Sequence, residues 1–123
     1  MITIDAHSSV PIYEQVKTEL RGMVARGLLK PGDQVPAIRT LSQTLLVNPN
    51  TIARAYRELV MEGFLETRRG EGNYVSAAAR ELVHDGLDST RRQLLDAILV
   101  SRRGGLSWKD IQLILQKAKG EES

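Results

Sequence analysis

The side chains best suited to bind another molecule lie between Asn48 and Arg57 and repeat with the period of a helix. Arg54 and Arg57 are separated by three positions and Asn50 precedes Arg54 by four, so all three share one helix face. Guanidinium and carboxamide groups donate hydrogen bonds to phosphate oxygens and to the edges of bases. The chemistry that this spacing predicts is binding in the major groove of DNA.

The apolar residues of the same segment recur at i, i+3, i+4 and i+7 and form one inward stripe: Ile52, Ala55, Tyr56 and Leu59. Asn48 is suited to cap the helix by accepting a hydrogen bond from an orphan backbone N–H, and Pro49 suits the first helical position, where no donor is needed. The sequence therefore predicts a helix from Pro49 to Glu62, ended by Gly63, that is anchored on one side and polar on the other.

The elements that position this helix lie upstream of it. Apolar spacing predicts a first helix from Pro11 to Gly27 and a second from Ala37 to Leu46. Between them, Lys30–Asp33 has the composition of a turn and Gln34–Val35 reads as a brief strand. Met1–Val10 is expected to be a short flexible arm.

The connection to the Pro49 helix is the short turn Val47–Asn48, so the second and third helices must cross at a steep angle, as in a helix-turn-helix. Downstream, Phe64–Arg68 and Asn73–Ser76 flank a glycine-containing turn and predict a β-hairpin. Arg69 and Gly70 lie at its tip. The expected fold class is mostly α with a small β-hairpin wing, that is, a winged helix-turn-helix domain followed by a two-helix C-terminal dimerisation tail.

The predicted domains are residues 1–76, which would bind DNA, and residues 77–123, which would form the helical tail. In the tail, a long helix from Ala79 to Arg103 precedes a last helix that Ser107 and Asp110 would open as a capping pair. Two helices in 47 residues cannot enclose a sizeable ligand pocket. Their apolar residues are therefore expected to form a dimer interface, and the alternative is that they fold back on their own DNA-binding domain. The interface residues are Leu87, Leu94, Leu95, Ile98, Leu99, Ile111, Ile114 and Leu115.

Composition argues against several classes of function. The 123 residues contain no cysteine, which removes disulfide frameworks, thiolate metal sites and cysteine nucleophiles. His7 and His84 stand at unrelated places, so neither a metal site nor a histidine relay is expected, and the predictions are no enzyme, no metal and no cofactor. No segment has the ~18 apolar residues of a membrane span, and a cytoplasmic location is expected. The net charge of +2 is too small to indicate nucleic-acid binding by itself.

At these residues the chain resembles the GntR family of bacterial transcription regulators. The resemblance covers about Val10 to Ser76, and the short helical tail is similar to the YtrA-type subfamily in particular. It implies a regulator that binds double-stranded operator DNA as a homodimer, usually as a repressor at a palindromic site. No residue pattern identifies a small-molecule effector. The matching motifs are Pro11-Ile12-Tyr13-Glu14-Gln15, Leu29-Lys30-Pro31-Gly32-Asp33, Pro36-Ala37-Ile38-Arg39-Thr40-Leu41, Asn50-Thr51-Ile52, Arg54-Ala55-Tyr56, Leu59, Glu62-Gly63 and Gly70-Glu71-Gly72-Asn73-Tyr74-Val75.

The chain departs from the family at the starts of two helices. Ala37 stands where members commonly carry a serine that caps the second helix, and Pro49 stands where an arginine is often found. Ala53 supplies no hydrogen bond either, so base readout would depend more on the remaining polar residues. The predicted DNA-binding residues are Arg39, Asn48, Asn50, Thr51, Arg54, Arg57, Arg68, Arg69 and Gly70.

Each arginine in this set also has a simpler interpretation. Arg54 is spaced to pair with Glu58 on the helix surface, and Arg57 to face solvent. Arg68 and Arg69 are the kind of charges that protect an edge strand from aggregation. A second class of function, a winged-helix module that binds a protein instead of DNA, is also compatible with the pattern. It would lack the steep salt dependence that phosphate contacts produce.

Overall fold

The computed structural model describes residues 2–122, so Met1 and Ser123, which the predicted domains include, lie outside the described residues. The structure confirms the expected fold class, because five helices accompany one two-stranded antiparallel hairpin. In chain order the elements are α1 (Ile12–Ala25), α2 (Ile38–Leu45), α3 (Pro49–Met61), β1 (Leu65–Arg68), β2 (Gly72–Val75), α4 (Ala79–Arg103) and α5 (Trp108–Glu122).

The chain divides into two compact units, the first ending at Asp85 and the second beginning at Gly86, so the division falls inside α4. The sequence placed a domain boundary after Ser76. Ala79 and Val83, which that boundary assigns to the tail, are buried in the core of the first unit. A fragment that keeps the first core complete must therefore extend to Asp85.

The core of the first unit is built mainly between α1, α3 and the hairpin. All four residues of the predicted α3 stripe are buried, with exposures from 0% to 2%. Val16 and Leu20 of α1 are also fully buried. The Tyr56 hydroxyl donates to the carbonyl oxygen of Pro36 at 2.7 Å, so the one polar atom of this ring is satisfied. Burial raises the pKa of Tyr56 and keeps the hydroxyl a neutral donor.

The wing is a short hairpin with one additional bridge. Leu65 pairs with Val75 and Arg68 with Gly72. The brief strand expected at Gln34–Val35 is reduced to an isolated bridge between Gln34 and Tyr74, supported by a hydrogen bond from Val35 N to Asn73 O of 3.0 Å. The side chain of Gln34 also donates to the carbonyl of Glu71 at 2.6 Å. These contacts tie the tip of the wing to the segment that precedes α2.

The N-terminal segment is held against α1, and the expectation of a flexible arm is wrong for residues 2–10. The Gln15 side chain accepts from Asp5 N at 2.6 Å and donates to the carbonyls of Asp5 and Val10 at 2.9 and 2.8 Å. Ile2 and Ile4 are partly buried against the core. Apolar contacts of Ile2 and Ile4 and the hydrogen bonds of Gln15 therefore hold the segment in place, although residues 5–10 remain exposed to solvent.

The second unit consists of the remainder of α4 and α5, joined at Gly104–Gly105. Ser107 N donates to Asp110 Oδ2 at 2.8 Å and Asp110 N to Ser107 Oγ at 3.0 Å, which confirms the predicted capping pair. The hydrogen bond from the backbone of Ser107 lowers the pKa of Asp110. Within residues 86–122 no side chain is fully buried, and Leu94 and Leu95 are 62% and 55% exposed. The unit therefore has an apolar surface without a core of its own.

Leu46, in the turn between α2 and α3, is the only residue other than glycine with a positive φ (56°) in the described part of the chain, and it is 91% exposed. A side chain in this left-handed region costs about 1–3 kcal/mol, and glycine avoids that cost while losing somewhat more backbone entropy on folding. We expect Leu46→Gly to raise the free energy of unfolding by about 0.5–1 kcal/mol in urea titrations. Leu46→Ala, which keeps Cβ, is the matched control and should gain nothing. A lower stability for the glycine variant would contradict the strain argument.

Candidate nucleic-acid interface

Helix α3 begins as the sequence predicts and presents its polar face outward. Asn48 Oδ1 accepts from Asn50 N at 2.8 Å, and Pro49 occupies the first turn. At the start of α2, by contrast, Ala37 provides no side-chain cap. The buried stripe of α3 fixes its rotation in the core, so Asn50, Arg54 and Arg57 are exposed on the opposite side. Thr51 and Ala53 are partly exposed at its margins.

Two of the predicted DNA-binding arginines are already engaged by the protein. Arg54 Nε lies 3.1 Å from Glu58 Oε2, and its guanidinium carbon is 3.7 Å from the centroid of the Tyr13 ring. The pairing that the spacing offered as an alternative is therefore present. Arg68 pairs with Glu66 at 3.1 Å and lies over the ring of Tyr74, 3.9 Å from its centroid. The side chains of Arg54 and Arg68 are therefore each held by an ion pair and an aromatic ring.

Three other predicted arginines remain available. Arg39 on α2, Arg57 on α3 and Arg69 at the wing are exposed, and their side chains make no ion pair or hydrogen bond with any residue in the range 2–122. Gly70 beside Arg69 has a φ of 77°, the left-handed conformation that closes the turn. Glu71, also exposed, places a carboxylate at the same tip. At the wing, the Arg69 guanidinium can contact the phosphate backbone, whereas the neighbouring Glu71 carboxylate would repel it.

The interface between α1 and α3 contains an ion network that the sequence pattern did not predict. Lys17 is only 5% exposed, and its Nζ lies 2.9 Å from Glu58 Oε1 and 2.6 Å from Glu62 Oε2. Glu14 is a third carboxylate, at 3.7 Å, and Arg21 pairs with Glu62 from the next turn of α1. The sequence contained one signal for this network: Lys17 follows Val16, which helical spacing places in the core, and a buried cation requires partners.

Protonation of this network links stability to pH. A hydrogen bond from Lys17 and, to a smaller extent, one from Arg54 lower the pKa of Glu58. For Glu62, burial alone would raise the pKa, but Lys17 and Arg21 lower it overall. Burial would likewise lower the pKa of Lys17, and the two carboxylates raise it overall. The carboxylates thus stabilise the fold above their unfolded pKa of about 4.5 and lose that contribution as pH falls through their folded values. Lys17 contributes below about pH 10.5 and loses its contribution as pH rises further.

We expect Lys17→Met to lower the free energy of unfolding at pH 7 by about 1–2 kcal/mol, because Glu58 and Glu62 lose their shared partner but stay partly hydrated. The difference from wild type should shrink as the pH is lowered from 7, because the lowered pKa values of Glu58 and Glu62 in the wild type mean that their stabilising contribution is lost as they become protonated. Urea unfolding at several pH values measures this difference in the free energy of unfolding. Lys117→Met, on the exposed surface of α5, is the matched control. A difference that does not change with pH would show that Lys17 acts by packing alone.

Other kinds of site receive no support from the geometry. Among residues 2–122, no group of three or more His, Asp or Glu side chains is arranged to hold a metal ion. None of the helices in that range combines the length and apolar character required to cross a membrane.

Relatives of known sequence are similar to more than half of this chain. A curated relative, the HTH-type transcriptional repressor YtrA of Bacillus subtilis (strain 168), is 47% identical over 76 residues, which cover 62% of this chain and 58% of that protein. The chain thus spans less than two thirds of the length of this relative.

Two solved structures extend the comparison. A GntR family transcriptional regulator from Listeria monocytogenes superposes with a TM-score of 0.70 at 28% identity, over 93% of this chain and 98% of that one. AraR(DBD) in complex with operator ORX1 superposes with a TM-score of 0.55 at 29% identity, over 62% of this chain and 95% of that one. Residues 12–75 match the family described as "Bacterial regulatory proteins, gntR family". This match includes α1, α2, α3 and the wing, and the chain therefore belongs to the GntR family of bacterial regulatory proteins.

Proposed function

We propose that this protein is a sequence-specific DNA-binding transcriptional regulator, a repressor that acts in the bacterial cytoplasm. The observation that carries the proposal is the outer face of α3, where Asn50, Arg54 and Arg57 are exposed on a helix whose other face is buried. A helix of this kind fits the major groove, where its side chains reach base edges. The unpaired Arg39 and Arg69 would bind the phosphates on either side of it.

The family supports this proposal. The Bacillus subtilis relative is named a transcriptional repressor, and the AraR domain was solved with operator DNA bound. We assign the base contacts to Asn50 and Thr51 at the start of α3, with Asn48 limited by its role as a cap. Arg68 is assigned to the support of the wing rather than to a strong contact, because Glu66 and Tyr74 hold it.

We further propose that the protein binds a palindromic operator as a homodimer through its second unit. The support is the exposed apolar surface of that unit, in which Leu94, Leu95, Ile114 and Leu115 are each more than half exposed and Leu87 and Leu99 are about 40% exposed. Ile98 and Ile111 are partly buried beside them. A two-fold axis would bury the same patch from each copy and place two α3 helices on symmetric half-sites.

Selection of bound sequences from random duplex DNA tests the proposed function. We expect enrichment of a palindrome, and an affinity for it whose logarithm falls linearly with the logarithm of salt concentration, by about 0.9 for each phosphate contact. A protein-binding winged-helix module would enrich no sequence and would show no such slope. That outcome would reject DNA binding in favour of the second class of function.

A further inference from the structure

Arg54 is held from two sides within the first unit. Its Nε donates to Glu58 Oε2 at 3.1 Å, and the Tyr13 ring covers its guanidinium plane at 3.7 Å from the centroid. The side chain nevertheless remains 53% exposed. A guanidinium has five N–H donors, more than one carboxylate oxygen can accept. Arg54 is therefore oriented by the protein and still has hydrogen-bonding capacity for a second partner.

Glu58 is itself held in place from α1. Its Oε1 accepts from Lys17 Nζ at 2.9 Å, while Oε2 accepts from Arg54, so both oxygens are engaged. The Lys17 side chain is 6% exposed and also bonds Glu62 at 2.6 Å, which leaves it little freedom. A carboxylate near the DNA face of α3 would repel phosphate, but this one stands between two cations.

We propose that Tyr13, Glu58 and Lys17 are positioning residues that hold Arg54 in the orientation in which it donates hydrogen bonds to operator DNA. The proposal rests on the proposed function. It adds residues of α1 to those that determine how α3 binds DNA. Arg54 lies one helical turn after Asn50 and one turn before Arg57 on the outer face of α3. All three side chains would therefore enter the same groove of the DNA.

The physical advantage is that the conformational entropy of Arg54 is lost on folding instead of on binding. A free arginine must give up most of its rotamer freedom when it meets a base or phosphate, which weakens the contact. Here the ring of Tyr13 fixes the plane and Glu58 fixes the rotation about the end of the side chain. The contact is consequently formed by a donor that already has its bound geometry.

A double-mutant cycle on the full chain tests the proposal. Tyr13→Leu removes the ring and Tyr13→Phe keeps it, and each is made in the wild type and in Arg54→Ala. We expect Arg54→Ala to lower affinity for the selected DNA about 10-fold, and Tyr13→Leu to lower it by a similar factor in the wild type alone. In the Arg54→Ala background, Tyr13→Leu should change affinity by less than about twofold, and Tyr13→Phe should be neutral in both backgrounds. Thermal unfolding of each variant establishes that the folded protein is compared.

A second arm uses Glu58→Gln, which keeps the size of the side chain and removes its charge. It should lower affinity in the wild type and have little effect in Arg54→Ala. The proposal is overturned if Arg54→Ala changes stability but not the affinity of the folded protein, or if Tyr13→Leu weakens binding equally in both backgrounds. Failure of the proposed function looks different, because the unmutated protein would then show no salt-dependent binding to any duplex.

Discussion

We expect a fragment ending at Asp85 to be monomeric and to have an operator affinity about 10²- to 10⁴-fold lower than the proposed homodimer, because it would no longer bind the second half-site as part of the same complex. The fragment keeps the first unit intact, including Ala79 and Val83 in its core. It should therefore remain folded, and its loss of affinity reports the missing partner. A fragment ending at Ser76 would lack Ala79 and Val83, so a loss of folding could not be separated from a loss of dimerisation.

The same result is expected from one substitution in the full chain. Leu95→Asp places a charge on the exposed apolar surface of α4, where Leu95 is 55% exposed in the single chain. Desolvating that charge in an interface costs several kcal/mol, enough to dissociate the dimer. Gln93→Asp, which adds the same charge at an exposed polar position of α4, is the matched control and should leave association unchanged.

Sedimentation at tens of micromolar, roughly the weak end of stable association, distinguishes the outcomes. The unmutated chain and Gln93→Asp should sediment as dimers, and the fragment and Leu95→Asp as monomers. A monomeric full-length chain at this concentration would reject the dimer and favour a tail that covers its own DNA-binding domain.

Asn50→Ala should have the second largest effect, a loss of about 1–3 kcal/mol confined to particular operator bases. Asn50 is exposed at the first turn of α3, and its backbone N–H, not its side chain, is bound by Asn48. A free carboxamide at this place can bind an adenine edge through two hydrogen bonds. Affinity measured across a panel of single-base operator variants should therefore show relaxed preference at one symmetric pair of positions.

Arg69→Ala provides the contrast in the same assay. Arg69 is an unpaired cation at the wing, so its removal should weaken all operator variants alike and reduce the salt slope by about 1. Thr18→Ala, an exposed position on α1 outside the predicted interface, is the control and should change neither quantity. If Asn50→Ala weakened every sequence equally, the residue would be a phosphate contact and base readout would have to lie elsewhere on α3.

Local chemistry made helix α3 predictable. The cap at Asn48, the proline in the first turn and the stripe headed by Ile52 each depend on residues within a few positions of one another, and all three are present in the structure. The same holds for the reciprocal cap of Ser107 and Asp110, which opens α5 where the sequence places it. Helical periodicity and capping are short-range, so a linear sequence contains them almost completely.

The sequence by itself thus determined the order of the elements, the winged helix-turn-helix class and which face of α3 is polar. Only the tertiary structure decided which polar groups on that face are free. Arg54 pairs with Glu58 within its own helix, but Tyr13 and Lys17 come from α1, and the burial of Lys17 follows from the packing of α1 on α3. The inclusion of Ala79 and Val83 in the first core was decided in the same way. Contacts between distant segments depend on how whole helices pack, and helical spacing specifies the face of each helix without specifying the side chain it will meet.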